Sequence, residues 1–457
     1  MTRNRADDLR ARIGDTDLVL VLGVMIAMYA MFTAFGLLLG LGFGSIVSTL
    51  QQITFLTAAY ALIVLALNLQ WGYAGLLNIG VAGFMAVGVY TMAILTASPD
   101  PGPTGVPGLG LPLLVGILGG MLAAALFGGL VALPAIRLRA DYLAIVTLAF
   151  GEIIRIAVNS QTFQSVSVLG FETGTGGSRG IQGPTNPVRA LYYTDPSNPA
   201  LGRTEIGGVI FDAFGALDVE EPVVVDLTYT LVLLGFVVLF YVLLTRIVKS
   251  PFGRVLKAIR EDELVAKSLG KHTSRFKIIT FMTGCALMGL GGILWQGSQS
   301  LVTPDQFDPL LTFYVFIALI IGGSGSNTGG VIGAALFVGL LFQGPVFASR
   351  LVSNFAGFES APNTFPDAVA GLGSLDIQPL VAYSLSEIQS LRFVLVGVVL
   401  ILVMAKRPQG VLGHRKSPAV GVDPYRRDPD GDETESRTDR GDANEAAESD
   451  SSWEKPE

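Results

Sequence analysis

Long apolar runs without charge dominate this chain. Residues 18–99 contain no Asp, Glu, Lys, Arg or His, and about 20 apolar residues are enough for one helix to cross a bilayer. Similar runs recur to near the carboxyl end, and each predicts a membrane-spanning helix. The ten predicted spans are 18–40, 50–70, 74–97, 113–136, 142–158, 227–247, 276–297, 310–323, 328–349 and 388–405. The pattern therefore predicts an all-α polytopic membrane protein.

Composition supports this fold class and excludes several chemistries. Hydrophobic residues make up 51% of the 457 positions and charged residues only 15%, whereas about a quarter of a soluble domain is charged. The mean hydropathy is +0.57. One cysteine and two histidines exclude a disulfide framework and a Cys or His zinc site. No metal, no other cofactor and no catalytic residue is predicted.

Lysine and arginine predict the orientation, because they resist translocation and stay in the cytoplasm. Nineteen of them fall in four segments that lie on one side of a ten-span chain: 1–17, 137–141, 246–277 and 406–416. Both termini are therefore predicted to be cytoplasmic, with the amino-terminal run retained as a signal anchor in the plasma membrane. The opposite side receives a long external loop, residues 159–226.

Three regions follow from this topology. They are a basic cytoplasmic segment (1–17), a transmembrane domain (18–405) that includes the external loop and a cytoplasmic loop (248–275), and a cytoplasmic tail (406–457). Residues 428–457 contain 12 acidic and three basic residues with little to bury. This composition predicts disorder from about residue 420.

Glycine is abundant, with 56 residues, and small residues let membrane helices approach closely. The glycines of residues 322–333 are denser than helix packing needs. Gly322 and Gly323 therefore predict a broken or re-entrant element, whose unwound backbone is tolerated when it lies buried in protein or lines a cavity.

Residues 250–270 predict a short amphipathic helix after Pro251. Leu256, Ile259, Leu264 and Leu269 can share one face, with the charged residues mostly outside it: Arg260, Glu261, Asp262 and Glu263. Such a helix can rest on lipid or dock in the groove of another protein. Periodicity leaves both alternatives open.

Polar residues within the spans form two further candidate sites. Glu152 and Arg155 are three residues apart on the fifth span, where they can form an ion pair that either lines a pathway or fixes one helix against another. Asn68, Tyr73 and Asn78 lie in the early glycine-rich part. They can line a translocation pathway or form interhelical hydrogen bonds.

Several sequence blocks occur in a fixed order over residues 50–413. They are LQWGYAGLLNIG (69–80), YLAIVTLAFGEIIR (142–155), TGGSRGI (175–181), GGSG (322–325) and RPQGVLG (407–413). Together they resemble the permeases of ABC importers, in the branched-chain amino acid family of the LivM type. The 250–270 segment resembles the coupling loop of these permeases, with a degenerate motif at Glu263–Ala266 followed by Gly270.

The resemblance implies a transport subunit that is not itself an enzyme and that moves branched-chain or similar amino acids. The implied partners are a LivH-like permease subunit, two cytoplasmic ATPase subunits and an extracytoplasmic substrate-binding protein. Permeases for urea or short amides have nearly the same pattern, and a secondary transporter and a membrane scaffold remain alternative classes. The implied ATPase-coupling residues are Arg254, Arg260, Glu261, Asp262, Glu263, Ala266 and Gly270.

Overall fold

The structure is a computed structural model, and it describes residues 3–100, 105–135, 140–168, 171–296, 299, 301–356, 362, 364–370, 377–407 and 409–412. The predicted acidic tail lies outside the described residues. The helices of the amino-terminal half are α1 (Arg3–Leu38), α2 (Phe43–Leu67), α3 (Val81–Thr96), α4 (Leu113–Ala135), α5 (Ala140–Asn159), α6 (Gln161–Gln164), α7 (Arg189–Tyr192) and α8 (Glu205–Gly215). The remaining helices are α9 (Glu221–Lys249), α10 (Pro251–Glu261), α11 (Glu263–Ser268), α12 (Thr273–Gln296), α13 (Pro309–Gly322), α14 (Asn327–Leu336), α15 (Gly344–Ala356), α16 (Phe365–Ala370), α17 (Gln378–Ser386) and α18 (Ile388–Lys406).

Each predicted span overlaps a helix, and the all-α polytopic membrane fold is confirmed. Among the described residues, seven helices are long and apolar enough to cross a membrane: α1, α2, α4, α5, α9, α12 and the run of α14 and α15. Two further apolar helices, α3 and α13, have only 16 and 14 residues. At 1.5 Å per residue these two do not reach across a hydrocarbon core of about 30 Å. The last predicted span corresponds to α18.

Helices α2, α3 and α12 form the centre of the domain. From Thr57 to Leu67 every residue of α2 is buried. Glycine allows α3 to touch its neighbours, because a Cβ on Gly88 would lie 2.6 Å from the Cα of Gly289 in α12. In contrast, α1 and α9 leave rows of large apolar side chains exposed, as expected of helices that face lipid.

The backbone of the membrane domain is broken at two places. The first break is residues 75–80, which follow a π-helical turn (Asn68–Tyr73) at the end of α2. Its position corrects the predicted span 74–97, which becomes helical only at Val81. The second break is residues 323–326, between α13 and α14, and it confirms the break predicted after Gly322.

The predicted external loop, residues 159–226, has its own structure. It contains a hairpin of β1 (Val166–Val168) and β2 (Phe171–Thr173), and β3 (Ile181–Gln182) pairs antiparallel with β4 (Leu301–Val302) from the connection between α12 and α13. Helices α7 and α8 pack on the first turn of α9 around a second, small apolar core.

Candidate functional site

The two breaks lie side by side, and hydrogen bonds between side chains join them. The Asn68 amide donates to Asn327 Oδ1 at 3.0 Å, and Asn68 Oδ1 accepts the backbone N–H of Gly325 at 2.8 Å. The Tyr73 hydroxyl also donates to Asn327 Oδ1, at 3.2 Å. Asn327 in turn donates to Thr245 of α9 at 3.2 Å. One polar cluster therefore links α2, α9 and the start of α14.

In the first break, side chains provide hydrogen-bond partners for backbone N–H groups that make no helical hydrogen bond. Asn78 accepts the N–H of Gly80 at 2.9 Å and donates to Gln70 at 2.9 Å. The hydroxyl of Thr147 in α5 accepts the N–H of Ile79 at 2.9 Å. Because backbone groups without partners are costly inside a membrane, these contacts hold the break in one conformation.

Arg260 connects the α10–α11 segment to the first break. Its guanidinium donates to the carbonyl oxygen of Gly72, at the end of the π-helical turn. The Arg260 stem lies against Gly75, where a Cβ would be 3.1 Å from Arg260 Cγ. Gly75 has a φ of +71°, a conformation that glycine adopts without strain. Arg260 therefore ties α10 to the break.

The structure corrects the expectation of a single amphipathic helix after Pro251. Helix α10 ends at Glu261, and Asp262 is extended (φ −155°, ψ 109°). The Asp262 carboxylate accepts the N–H groups of Leu264 at 2.8 Å and Val265 at 3.1 Å. It is thus the N-cap of a second helix, α11, and such a cap contributes about 1 kcal/mol.

Because the chain turns at Asp262, the predicted shared apolar face is wrong. Leu256 and Ile259 of α10 are buried against the membrane domain. Leu264 and Leu269 point away from it, with 74% and 71% of their surface exposed, and Val265 beside them is 55% exposed. Leu264, Val265 and Leu269 therefore form an exposed apolar surface on the segment that joins α9 to α12.

Glu263 attaches α11 to the first turn of α12. Its carboxylate accepts hydrogen bonds from Lys277 and, at 2.9 Å, from Thr273, and it lies 3.3 Å from the ammonium group of Lys267. Partial burial raises the pKa of Glu263, but the hydrogen bonds from Lys277 and Thr273 outweigh this effect and hold it below its ordinary value.

The other predicted coupling residues also have defined positions. Ala266 is buried, and Gly270 ends α11 with a φ of +74°. Arg254 and Glu261 are exposed on α10. On the same helix, burial and the neighbouring Arg260 charge lower the pKa of Lys257.

A short segment near the end of the described chain covers the second break. The N–H of Val411 donates to the carbonyl of Ile321 at 2.8 Å, and that of Leu412 donates to the carbonyl of Gly322 at 3.1 Å. These bonds satisfy carbonyls at the end of α13 that lack helical partners. A Cβ on Gly410 would lie 2.6 Å from the Cα of Gly323, so residues 409–412 of the RPQGVLG block pack tightly on the break.

Glu152 and Arg155 form the predicted ion pair on α5. Arg155 Nε donates to Glu152 Oε2 at 2.9 Å, and its Nη2 donates to Oε1 at 2.5 Å. The two side chains are about a third and a quarter exposed. They lie on α5, 12 residues or more after its start, which is about 18 Å along the helix. The adjacent Gly151 packs on the end of the first break, because a Cβ on Gly151 would lie 3.5 Å from the Cα of Gly80.

The structure thus brings together Asn68, Tyr73, Gly322, Gly323 and Arg260, and it places Asn78 beside them. Asn68 and Asn78 are fully buried and hydrogen-bonded within the chain, and their role in a pathway stays a prediction. Sequence reasoning missed four residues that complete the network: Gln70, Thr147, Thr245 and Asn327. Gln70 and Asn327 are amides inside apolar runs and could have been found by that criterion; the two threonines have no comparable signal.

Comparison with known proteins identifies the family. A family model described as "Branched-chain amino acid transport system / permease component" matches residues 49–404. The permease protein LivM of the high-affinity branched-chain amino acid transport system of Escherichia coli (strain K12) is 36% identical over 287 residues, which are 63% of this chain and 61% of that protein. This chain thus spans less than two thirds of the length of that relative.

Two other relatives show how far the likeness extends. The guanosine ABC transporter permease protein NupQ of Bacillus subtilis (strain 168) is 26% identical over 297 residues, 64% of this chain and 79% of NupQ. The LivH permease of Escherichia coli (strain K12) is 31% identical over 87 residues, 19% of this chain and 28% of LivH. No solved structure matches the chain. Since the family model covers most of the chain, this protein belongs to the family of permease components of branched-chain amino acid transport systems.

Proposed function

We propose that this chain is the translocating subunit of an ATP-driven ABC importer for branched-chain or chemically similar amino acids in the plasma membrane. Its expected partners are a LivH-like permease, two cytoplasmic ATPase subunits and an extracytoplasmic binding protein. The 36% identity to LivM supports this assignment. The positively charged segments support a cytoplasmic location for α10, α11 and both termini.

The observation that carries the proposal is the construction of the α10–α11 segment. It presents Leu264, Val265 and Leu269 to its surroundings and ties Arg260 to the first break. A partner that binds the exposed apolar surface of α11, and that moves when it hydrolyses ATP, would displace the adjoining helix α10. Because the Arg260 guanidinium holds the Gly72 carbonyl, this displacement would reach the joined breaks and alter access through the membrane domain.

The substrate class is the part most open to revision. The likeness to the guanosine permease NupQ makes a nucleoside the second candidate, and short amides remain an alternative. Uptake of radiolabelled leucine into cells that express the complete transport system, with valine, guanosine and urea as competitors, discriminates among them. Competition by guanosine but not by valine would contradict the amino acid assignment.

The test of coupling is the double substitution Leu264→Asp and Leu269→Asp. We expect it to abolish co-purification of ATP-hydrolysing activity and leucine uptake, because charges at a desolvated apolar contact are poorly tolerated. Membrane abundance should be unchanged, since both side chains are exposed. Leu201→Asp, at a leucine 67% exposed in the loop of residues 159–226, is the control and should retain the ATPase. Retention of ATPase and uptake by the double variant would favour a secondary transporter.

A further inference from the structure

Helix α8 has an apolar face that the described chain does not cover. Ile206 is 60% exposed and Val209 is 72% exposed, and Ala213 follows one turn later on the same side. The helix is well defined, because the Thr204 hydroxyl accepts the N–H of Gly207 at 3.0 Å and caps its first turn. The exposed apolar stripe therefore belongs to an ordered helix of 11 residues.

The other side of α8 is held against α9. Phe211 is buried, and its ring lies 5.2 Å from that of Tyr192 and 5.5 Å from that of Tyr193. This core includes Val224 and Val225 in the first turn of α9. The contact fixes the depth of α8 relative to a membrane-spanning helix.

The positions of the charged residues along α9 indicate which part of this helix lies in the hydrocarbon core. The stretch from Leu227 to Leu244 contains no charged residue, and its 18 residues span about 27 Å, close to the thickness of a hydrocarbon core. Glu221 and Asp226 precede it. The first turn of α9, and α8 with it, therefore lies at the level of the lipid headgroups, on the membrane face opposite α10 and α11.

A second contact gives the same depth independently. Directly after α8, Asp218 packs on the turn that joins α1 to α2: a Cβ on Gly44 would lie 1.8 Å from the carbonyl oxygen of Asp218. Turns between consecutive spans lie at the membrane surface. Leu38 and Phe43, which flank this turn, are exposed apolar residues, so the surface beside α8 is continuous with the lipid-facing surface of the spans.

We propose that α8 is an interfacial helix that inserts Ile206, Val209 and Ala213 into the lipid leaflet on the face opposite α10 and α11. Glu205 and Asp212 lie on a neighbouring side of the helix and face water. The helix has no Lys or Arg, so burial of apolar surface, and not attraction to anionic lipid, drives the insertion. The helix anchors the structured loop of residues 159–226 to the bilayer.

Spin labels at two positions of α8 test the insertion in the full chain reconstituted into phosphatidylcholine bilayers. The native Cys285 is fully buried, so Val209→Cys and Asp212→Cys provide the accessible thiols. We expect the label at position 209 to collide severalfold more often with oxygen, which partitions into lipid, than with a water-soluble nickel chelate. The label at position 212 should show the reverse preference, and added salt should change neither ratio.

Three results would overturn the proposal. Nickel access at position 209 equal to that at position 212 would show that the apolar face meets water. An immobile label at position 209, shielded from both reagents, would show that a protein covers the face. A lipid preference that disappears with salt would show that electrostatic attraction holds the helix. The label positions are exposed, so neither substitution removes a core contact.

Discussion

Replacement of Arg260 by methionine tests whether the tie between α10 and the first break transmits movement. Methionine keeps the apolar stem that packs on Gly75 but removes the donor to the Gly72 carbonyl. A hydrogen bond to a charged group contributes about 1.5–3 kcal/mol. Because Arg260 is only partly buried, we take the lower part of this range, about 2 kcal/mol. The tied conformation should then lose about 30-fold in its equilibrium population.

The assay follows leucine uptake and ATP hydrolysis together, in the assembled transporter reconstituted into proteoliposomes. We expect Arg260→Met to bind the ATPase and hydrolyse ATP, because Leu264 and Leu269 are unchanged, while leucine moved per ATP hydrolysed falls by about tenfold or more. Arg260→Lys keeps a charged donor and should recover part of the ratio. Arg254→Met, at an exposed arginine of the same helix, removes the same charge but not the hydrogen bond to the Gly72 carbonyl, and it should lower the ratio less than Arg260→Met does.

The outcome that refutes the reasoning is a normal ratio of uptake to hydrolysis in Arg260→Met at normal membrane abundance. Movement of α10 would then reach the membrane domain by another route. Equal loss in Arg260→Met and Arg254→Met would assign the effect to the positive charge of α10 in general, and not to the bond with the Gly72 carbonyl.

Three further predictions concern other parts of the structure. Glu152→Gln and Arg155→Gln should each lower expression or uptake more than the double change, because a lone charge in the membrane is penalised more than the loss of both; additive effects would refute pairing. Gly333→Ala, whose Cβ would lie 2.0 Å from a backbone oxygen, should lower thermal stability in detergent by about 1–3 kcal/mol, whereas Gly235→Ala, with open space, should not. The pKa of Glu263 is lower in the folded protein than its ordinary value of 4.5. Its contribution to stability is therefore complete above pH 4.5 and is lost as the pH falls through the lowered pKa. Over that acidic range, hydrogen exchange of α11, corrected for intrinsic rates, should accelerate in the native chain but not in Glu263→Gln.

The coupling segment shows why periodicity predicted a helix but not its surface. Leu256, Ile259, Leu264 and Leu269 fit one face of a continuous helix. Asp262 also fits the N-cap of a new helix, and in the structure its carboxylate takes that role. Because Asp262 is extended, the chain after it runs in a different direction. Leu264 and Leu269 therefore do not share a face with Leu256 and Ile259. Local pattern cannot choose between these outcomes, because both satisfy it.

The first break shows a similar limit. Residues 75–80 belong to an apolar, glycine-rich stretch, and the predicted span 74–97 treats them as helix. Their non-helical conformation depends on a partner that is distant in sequence, Thr147 for the N–H of Ile79, and Arg260 binds the carbonyl of Gly72 just before them. The second break was predictable because consecutive glycines weaken a helix without any partner.

The sequence alone determined the membrane fold, the approximate positions of most of its helices and the pairing of Glu152 with Arg155. These features depend on local quantities: the length of an apolar run against the bilayer thickness, and the three-residue spacing of two opposite charges on one helix. Only the tertiary structure decided that Asn68 and Asn327 meet, that Arg260 turns inward and that Leu264 turns outward. Such contacts join residues far apart in the chain, and they arise because a buried backbone without helical bonds must find its hydrogen-bond partners wherever the fold brings them.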